Sequence, residues 1–133
     1  MAESVPIKKF ADAKVTGLIP MASVAKVECS VDFYKLLGME LRGSLKSTSG
    51  DLQWAHVACE GADLMLTRAK EPVVPGQQSV LFYLYSPNLV ALREHLIVAG
   101  VRVSSITYPD YMPKGEVRVE DPDGYTLLIG QAG

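Results

Sequence analysis

Apolar and polar positions follow the same order of patterns in two successive stretches of the chain, residues 17–67 and 78–130. Each stretch begins with an apolar run, continues with a segment in which apolar residues recur at helical spacing, and ends with three strand-like runs. These patterns predict a strand, an amphipathic helix and three further strands. We therefore predict two βαβββ modules. In the second module, the first strand after the helix is predicted at 101–106, VRVSSI.

Glycines and turn residues separate these elements. Gly38 and Gly100 each follow a helical pattern, where a left-handed residue commonly ends the helix. Asp121–Gly124 predicts a tight turn before the final strand. Glu60 and Gly61 predict a two-residue hairpin turn. With that turn, the residues paired on shared faces are Cys59 with Ala62, Ala58 with Asp63, His56 with Met65, and Trp54 with Thr67.

The predicted fold class is α+β, and the 133 residues are the size of one domain. Residues 1–16 have no clear period and are either a frayed tail or an added strand. The polar, proline-containing segment between the stretches is predicted to be a linker. The assignment is a single domain over residues 17–133, with module 1 at about 17–69, the linker at 70–77 and module 2 at about 78–131.

Charge and composition exclude several kinds of partner. Lys and Arg number 13 against 15 Asp and Glu, a formal net charge of -2, so we expect no nucleic-acid partner. No apolar run approaches the roughly 18 to 20 residues that span a bilayer, and the start of the chain lacks the apolar region of a signal peptide. We therefore expect a cytoplasmic protein with no membrane partner. Cys29 and Cys59 are predicted to be buried small hydrophobes.

Four short motifs, distributed over nearly the whole chain, occur in a specific order: Ile19-Pro20, Ser30-Val31-Asp32-Phe33-Tyr34 with Leu37-Gly38, Gly61-Ala62-Asp63-Leu64-Met65-Leu66, and Asp121-Pro122-Asp123-Gly124-Tyr125. In these motifs the chain resembles the vicinal oxygen chelate superfamily, which holds glyoxalase I, extradiol dioxygenases, fosfomycin resistance enzymes and bleomycin resistance proteins. The resemblance implies a glyoxalase/bleomycin resistance-like fold, in which curved sheets surround a concave cavity that a second subunit commonly completes. We expect a homodimer, also because a half-barrel leaves strand edges open.

The resemblance also places four positions at which metal-dependent members hold a divalent cation with His, Gln or Glu. In this chain they fall on Ile19, Met65, Leu81 and Leu128. None of these side chains offers the nitrogen or oxygen donor that such a site needs. We therefore expect no metal and no cofactor, and the resemblance narrows to the metal-free bleomycin resistance-like branch.

Strand alternation then predicts which side chains line the cavity, because these former ligand positions point into it. The same alternation places Val117 and Val119 in the core. It also places Asp63 among the polar side chains that line the cavity. Structural roles are the alternative to ligand binding for three of these residues: Trp54 could belong to the core or to a subunit interface, and Tyr83 and Tyr85 could be subunit contacts. The predicted ligand-binding residues are Met21, Trp54, His56, Met65, Tyr83, Tyr85, Glu116 and Arg118.

Two function classes follow, and we favour binding over catalysis. The first is a metal-independent protein that sequesters an aromatic or antibiotic-like ligand, cationic ones included, in a cavity shared by a dimer. The alternative is an enzyme of the same superfamily, a lyase, isomerase or dioxygenase-like protein, with His56 as acid or base or with a non-standard metal site. A homodimeric scaffold without a small-molecule role is the third possibility.

Overall fold

A computed structural model describes residue 13 and residues 15–133. Most of the N-terminal segment, for which a tail and an added strand were the alternatives, lies outside the described residues. Within them, no helix is long and apolar enough to cross a membrane. The elements are β1 (Met21–Val24), α1 (Val27–Lys35), β2 (Glu40–Lys46), β3 (Leu52–Cys59), β4 (Ala62–Arg68), a 3-10 turn (Pro75–Gln77), β5 (Leu81–Ser86), α2 (Leu89–Val98), β6 (Glu116–Glu120) and β7 (Thr126–Gln131).

The first sheet has four strands in the order β1-β4-β3-β2, with β1 parallel to β4. The predicted hairpin is confirmed, because β3 and β4 pair in the register that a two-residue turn at Glu60 and Gly61 gives. Helix α1 packs against β3 and also contacts β2 and β4. It ends before Gly38, whose φ of 90° is the left-handed conformation predicted there.

The second sheet has only three strands in the described chain, in the order β5-β7-β6. The prediction of a strand at 101–106 is wrong: this segment makes a single isolated bridge to β6, between Val103 and Val119. Ser104 explains the interruption, because its hydroxyl accepts the Arg118 N–H at 2.8 Å. A side-chain oxygen thus takes the donor that a regular ladder would give to a backbone carbonyl.

Side chains from the helix-facing sides of both sheets form one continuous core. Val24 and Leu66 from the first sheet are fully buried, as are Leu127 and Ile129 from the second. Val117 and Val119 are buried on β6, as predicted. The prediction for the cysteines is wrong, because Cys29 is exposed and Cys59 is half-buried. The buried positions of helix α1 are instead Val27, Ser30, Val31, Phe33 and Tyr34.

The turn at Asp121–Gly124 joins the two modules. Asp121 Oδ1 accepts the N–H groups of Asp123 and Tyr125, both at 2.9 Å, which closes the predicted turn. Asp121 Oδ2 accepts the Tyr34 hydroxyl of α1 at 2.8 Å, and Asp123 Oδ1 accepts the Ala25 N–H at 2.8 Å. Burial raises the pKa of Asp121, although these hydrogen bonds oppose the shift.

Candidate functional site

Each sheet has an open face, the side turned away from the helix-facing core. The strand register places the predicted lining residues on these two faces, since residues paired across strands share a face. In the first sheet Met21 and His56 both pair with Met65, and Trp54 pairs with Thr67. The register of the first open face is therefore the predicted one.

The second open face follows the same rule. Tyr83 and Arg118 both pair with Leu128, and Tyr85 and Glu116 both pair with Gly130. The alternate positions of β5 and β7, such as Leu127, belong to the core. Within β5, β6 and β7 the predicted alternation of faces is confirmed, but Val80, which was expected in the core, precedes β5 and is exposed.

On the first face, Trp54, His56, Asp63, Met65 and Met21 form what we call the first-face group. His56 Nε2 and Asp63 Oδ1 are 2.8 Å apart, and the imidazole is mostly buried. The Trp54 and His56 rings lie 6.5 Å apart, centroid to centroid. The group thus combines an indole, a thioether surface and a histidine whose Nε2 is already engaged by a carboxylate.

Trp54 has room because Gly43, the residue of β2 that pairs with His56, lacks a side chain. A Cβ added at Gly43 would lie 3.4 Å from two ring carbons of Trp54. The indole therefore lies across the backbone of β2. A glycine in a strand often marks such a close approach. Gly43 is therefore the sequence feature from which the placement of the ring could have been predicted.

On the second face, Tyr83, Tyr85, Glu116 and Tyr111 form the second-face group. Glu116 is a correction to the sequence prediction, which left it as an open polar group: the residue is only 6% exposed. Its carboxylate accepts the Tyr83 hydroxyl at 2.5 Å and the Tyr111 hydroxyl at 2.9 Å. The Tyr83 and Tyr85 rings are tilted neighbours at 5.2 Å.

No sequence pattern pointed to Tyr111. It lies in the irregular segment that precedes β6, where no period assigns a face. Its hydroxyl reaches Glu116 only because that segment folds back over the sheet. The pKa of Tyr83 is raised by burial and by its hydrogen bond to Glu116, and the pKa of Tyr111 is raised mainly by the same carboxylate. Both phenols therefore remain protonated donors at neutral pH.

Arg118 takes no part in the contacts around Glu116. It is exposed, and its guanidinium Nη2 donates to Thr126 Oγ1 at 3.4 Å. None of the ion pairs between described residues includes Glu116. Arg118 therefore lies on the predicted face but apart from the second-face group.

The two groups lie on separate sheets of one chain, and cavities run between the modules. One, of about 410 Å³, touches both groups through Asp63 and Tyr83 and is also lined by Leu81. Another, of about 600 Å³, runs along β5 past Tyr83 and Tyr85 to the turn at Glu60. Both volumes lie within the usual range for an organic ligand site.

The four positions that correspond to the family's metal ligands do not fit a divalent cation. Met65 pairs with Met21, and Leu128 pairs with Tyr83, so both lie on open faces. Ile19 and Leu81 are 41% and 56% exposed, which places neither under a helix. Hydrocarbon and thioether groups provide no hard donor. Among the residues that the structure describes, no three His, Cys, Asp or Glu side chains converge.

Comparison with known proteins agrees with this fold. Residues 19–129 match the family described as the Glyoxalase/Bleomycin resistance protein/Dioxygenase superfamily. None of the curated proteins compared with the chain matches it. A bleomycin-binding protein solved with bleomycin superposes with a TM-score of 0.70 at 14% identity, covering 90% of this chain and 100% of that chain.

Two further solved structures come from Streptomyces sp. CB03234. One is an antibiotic-binding protein, with a TM-score of 0.66 at 22% identity over 90% of this chain and 98% of that chain. The other is a glyoxalase/bleomycin resistance protein, with a TM-score of 0.62 at 25% identity over 85% of this chain and 97% of that chain. Because the family match extends over residues 19–129, the chain belongs to the glyoxalase/bleomycin resistance protein/dioxygenase superfamily.

Proposed function

We propose that this chain is a cytoplasmic binding protein that takes up an aromatic, antibiotic-like small molecule on its open sheet faces, without a metal at the family's ligand positions. The observation that carries the proposal is the chemistry of those positions: Ile19, Met65, Leu81 and Leu128 are apolar. The structures of a bleomycin-binding protein and an antibiotic-binding protein with the same fold support the ligand class.

The side chains beside these positions suit a planar organic ligand. Trp54 offers an indole beside Met65, and the paired rings of Tyr83 and Tyr85 flank Leu128. Stacking on such a ring contributes about 0.5 to 1.5 kcal/mol beyond the burial of apolar area. A few polar groups, His56 and Asp63 among them, would orient the ligand.

A second copy of the chain would complete the cavity in this proposal. Met21 and Tyr85 are 54% and 66% exposed on the open faces, and large apolar side chains on one surface commonly mark an interaction site. β5 is also an edge strand, and free edges are usually covered. A dimer would bury both.

The experiment uses Trp54, the only tryptophan of the chain. Titration with a panel of aromatic antibiotics and metabolites should change its emission. A ligand at 100 times its Kd should raise the free energy of unfolding by about 2.7 kcal/mol. Trp54→Leu should weaken binding measured by calorimetry, and Val98→Ala, on the exposed side of α2, is the matched control. Absence of any shift across the panel would refute the proposal.

The contact between His56 and Asp63 favours one alternative function, an enzyme that uses His56 as acid or base. A carboxylate at 2.8 Å from Nε2 orients the imidazole and leaves Nδ1 to meet a substrate. This reading requires turnover that His56→Ala abolishes and His95→Ala, on the exposed surface of α2, preserves. Equal turnover by both variants would exclude it.

A further inference from the structure

Glu116 is a buried carboxylate that forms no ion pair with any residue in the described part of the chain. Tyr83 and Tyr111 each donate a hydroxyl to one of its oxygens, and no ion pair among the described residues involves it. Buried carboxylates are generally balanced by a cation or by several strong donors. Here two neutral phenols satisfy the hydrogen bonds, and no cation of a described residue lies in direct contact with the carboxylate.

Two partly exposed tyrosines contact this carboxylate, and a third adjoins Tyr83. Tyr83, Tyr85 and Tyr111 are 38%, 66% and 66% exposed, although two of them donate to a buried group. Their exposed ring surfaces carry the negative face of the aromatic quadrupole. A phenol that donates to a carboxylate also becomes a better acceptor at its own oxygen, since linked hydrogen bonds polarise one another.

Next to the second-face group, the surface of the sheet is formed by Gly130 and Met112. Gly130, which pairs with both Tyr85 and Glu116, has no side chain. A Cβ added there would come 2.7 Å from the Met112 Cε. Met112 therefore covers the sheet beside the carboxylate with a soft, apolar surface. Tyr83 and Tyr85 also line the cavity along β5, so a ligand in that cavity would contact them.

We propose that the second-face group binds an organic ammonium ion, with the cation on the tyrosine rings, the Glu116 charge behind them and the apolar part of the ligand along β5. This inference rests on the proposed function and adds the charge of its ligand. Cations lie favourably over aromatic faces within about 6 Å of the ring centroid. An anion at the same place would be repelled by Glu116.

The test uses three probes that share one ring and one linker: 2-phenylethylammonium, 2-phenylethanol and phenylacetate. Binding is followed by calorimetry and by the ring-proton chemical shifts of the tyrosines. The ammonium should bind at least about tenfold more tightly than the alcohol, and the carboxylate should bind most weakly. In Glu116→Gln the ammonium and the alcohol should differ by no more than about threefold.

Two further variants keep the test decisive. Glu120→Gln removes the same charge from the exposed end of β6 and should leave the order of the probes unchanged. The double variant Tyr83→Phe with Tyr111→Phe keeps the rings and the carboxylate, so it should keep the preference for the ammonium. If Glu116→Gln does not fold, the order of the three probes on the unaltered protein still decides the inference.

The outcomes separate this inference from the proposed function. If the ammonium and the alcohol bind equally well to the unaltered protein, the inference is overturned while aromatic binding stands. If no probe binds to the tyrosines but Trp54 responds to the antibiotic panel, the inference alone fails. A preference for the ammonium that survives in Glu116→Gln would also overturn it, because the carboxylate would then not be its source.

Discussion

Tyr34→Phe tests the junction between the modules with the loss of one oxygen atom. The Tyr34 hydroxyl donates to Asp121 Oδ2 at 2.8 Å, and both groups are buried. The other oxygen, Oδ1, keeps the N–H groups of Asp123 and Tyr125. Oδ2 would lose its partner. A hydrogen bond to a charged group contributes about 1.5 to 3 kcal/mol.

We therefore expect Tyr34→Phe to lower the free energy of unfolding by about 2 kcal/mol at neutral pH. For a chain of this size that corresponds to a fall in Tm of roughly 6 to 10 °C. Urea denaturation at fixed protein concentration measures the change, and a lower midpoint with an unchanged m-value reports lost stability. Tyr125→Phe is the control, because that hydroxyl donates at 3.0 Å to the neutral carbonyl of Ser23.

The loss should also depend on pH. Burial raises the pKa of Asp121 in the folded protein, and the Tyr34 hydrogen bond lowers it. A carboxyl with a raised pKa binds its proton more tightly when folded, so its contribution is most favourable below the ordinary value near 4 and declines as pH rises through the folded value. Removing the hydroxyl raises that pKa further. The deficit of Tyr34→Phe should grow from about pH 4 to pH 7.

Tyr125→Phe should lose only about 1 kcal/mol, equally at both pH values. A deficit below about 0.5 kcal/mol for Tyr34→Phe, or one as large at pH 4 as at pH 7, would refute this account of the junction.

Three other predictions concern the turn, the metal positions and the assembly. Gly124→Ala should lower the free energy of unfolding, measured by thermal denaturation, by at least about 2 kcal/mol, because the φ of Gly124 is +83° and the new Cβ would lie 2.4 Å from the Pro75 Cβ. Gly50→Ala is the control and should lower it by about 1 kcal/mol, because Gly50 has a φ of +91° with open space around it. Equal losses in the two variants would contradict the contact with Pro75. Protein purified without chelator should hold far less than one zinc, nickel, manganese or iron ion per chain by elemental analysis, and stoichiometric metal would overturn the proposed metal independence. Light scattering after size exclusion should give the mass of two chains, and a monomer at every concentration would contradict the proposed dimer.

Local patterns were enough to predict much of the fold. The two-residue turn at Glu60 and Gly61 set the register of β3 on β4, because a hairpin loop of defined length leaves one pairing. Alternation then assigned Trp54 and His56 to one face and Ala55 to the other, since successive strand residues point to opposite sides. The turn at Asp121 was equally readable from its own residues.

The missing strand at 101–106 shows where such patterns fail. Its residues alternate as a strand would, yet the Ser104 hydroxyl takes the N–H of Arg118. Whether the Ser104 side chain or a backbone carbonyl accepts this N–H depends on which residue of β6 lies next to Ser104, and that is set by the position of β6 in the tertiary structure. A period of two carries no information about it.

Some features of the candidate site were likewise predictable from the sequence, and others depended on the tertiary structure. The sequence determined which side chains could share a face, and also the apolar character of Met65 and Leu128, because both follow from residue type and strand period. Only the tertiary structure decided that Glu116 is enclosed by Tyr83 and Tyr111, and that His56 meets Asp63. Those contacts depend on how an irregular segment folds over a sheet and on how side chains orient across neighbouring strands. Both are set by residues far apart in the sequence, so no local pattern encodes them.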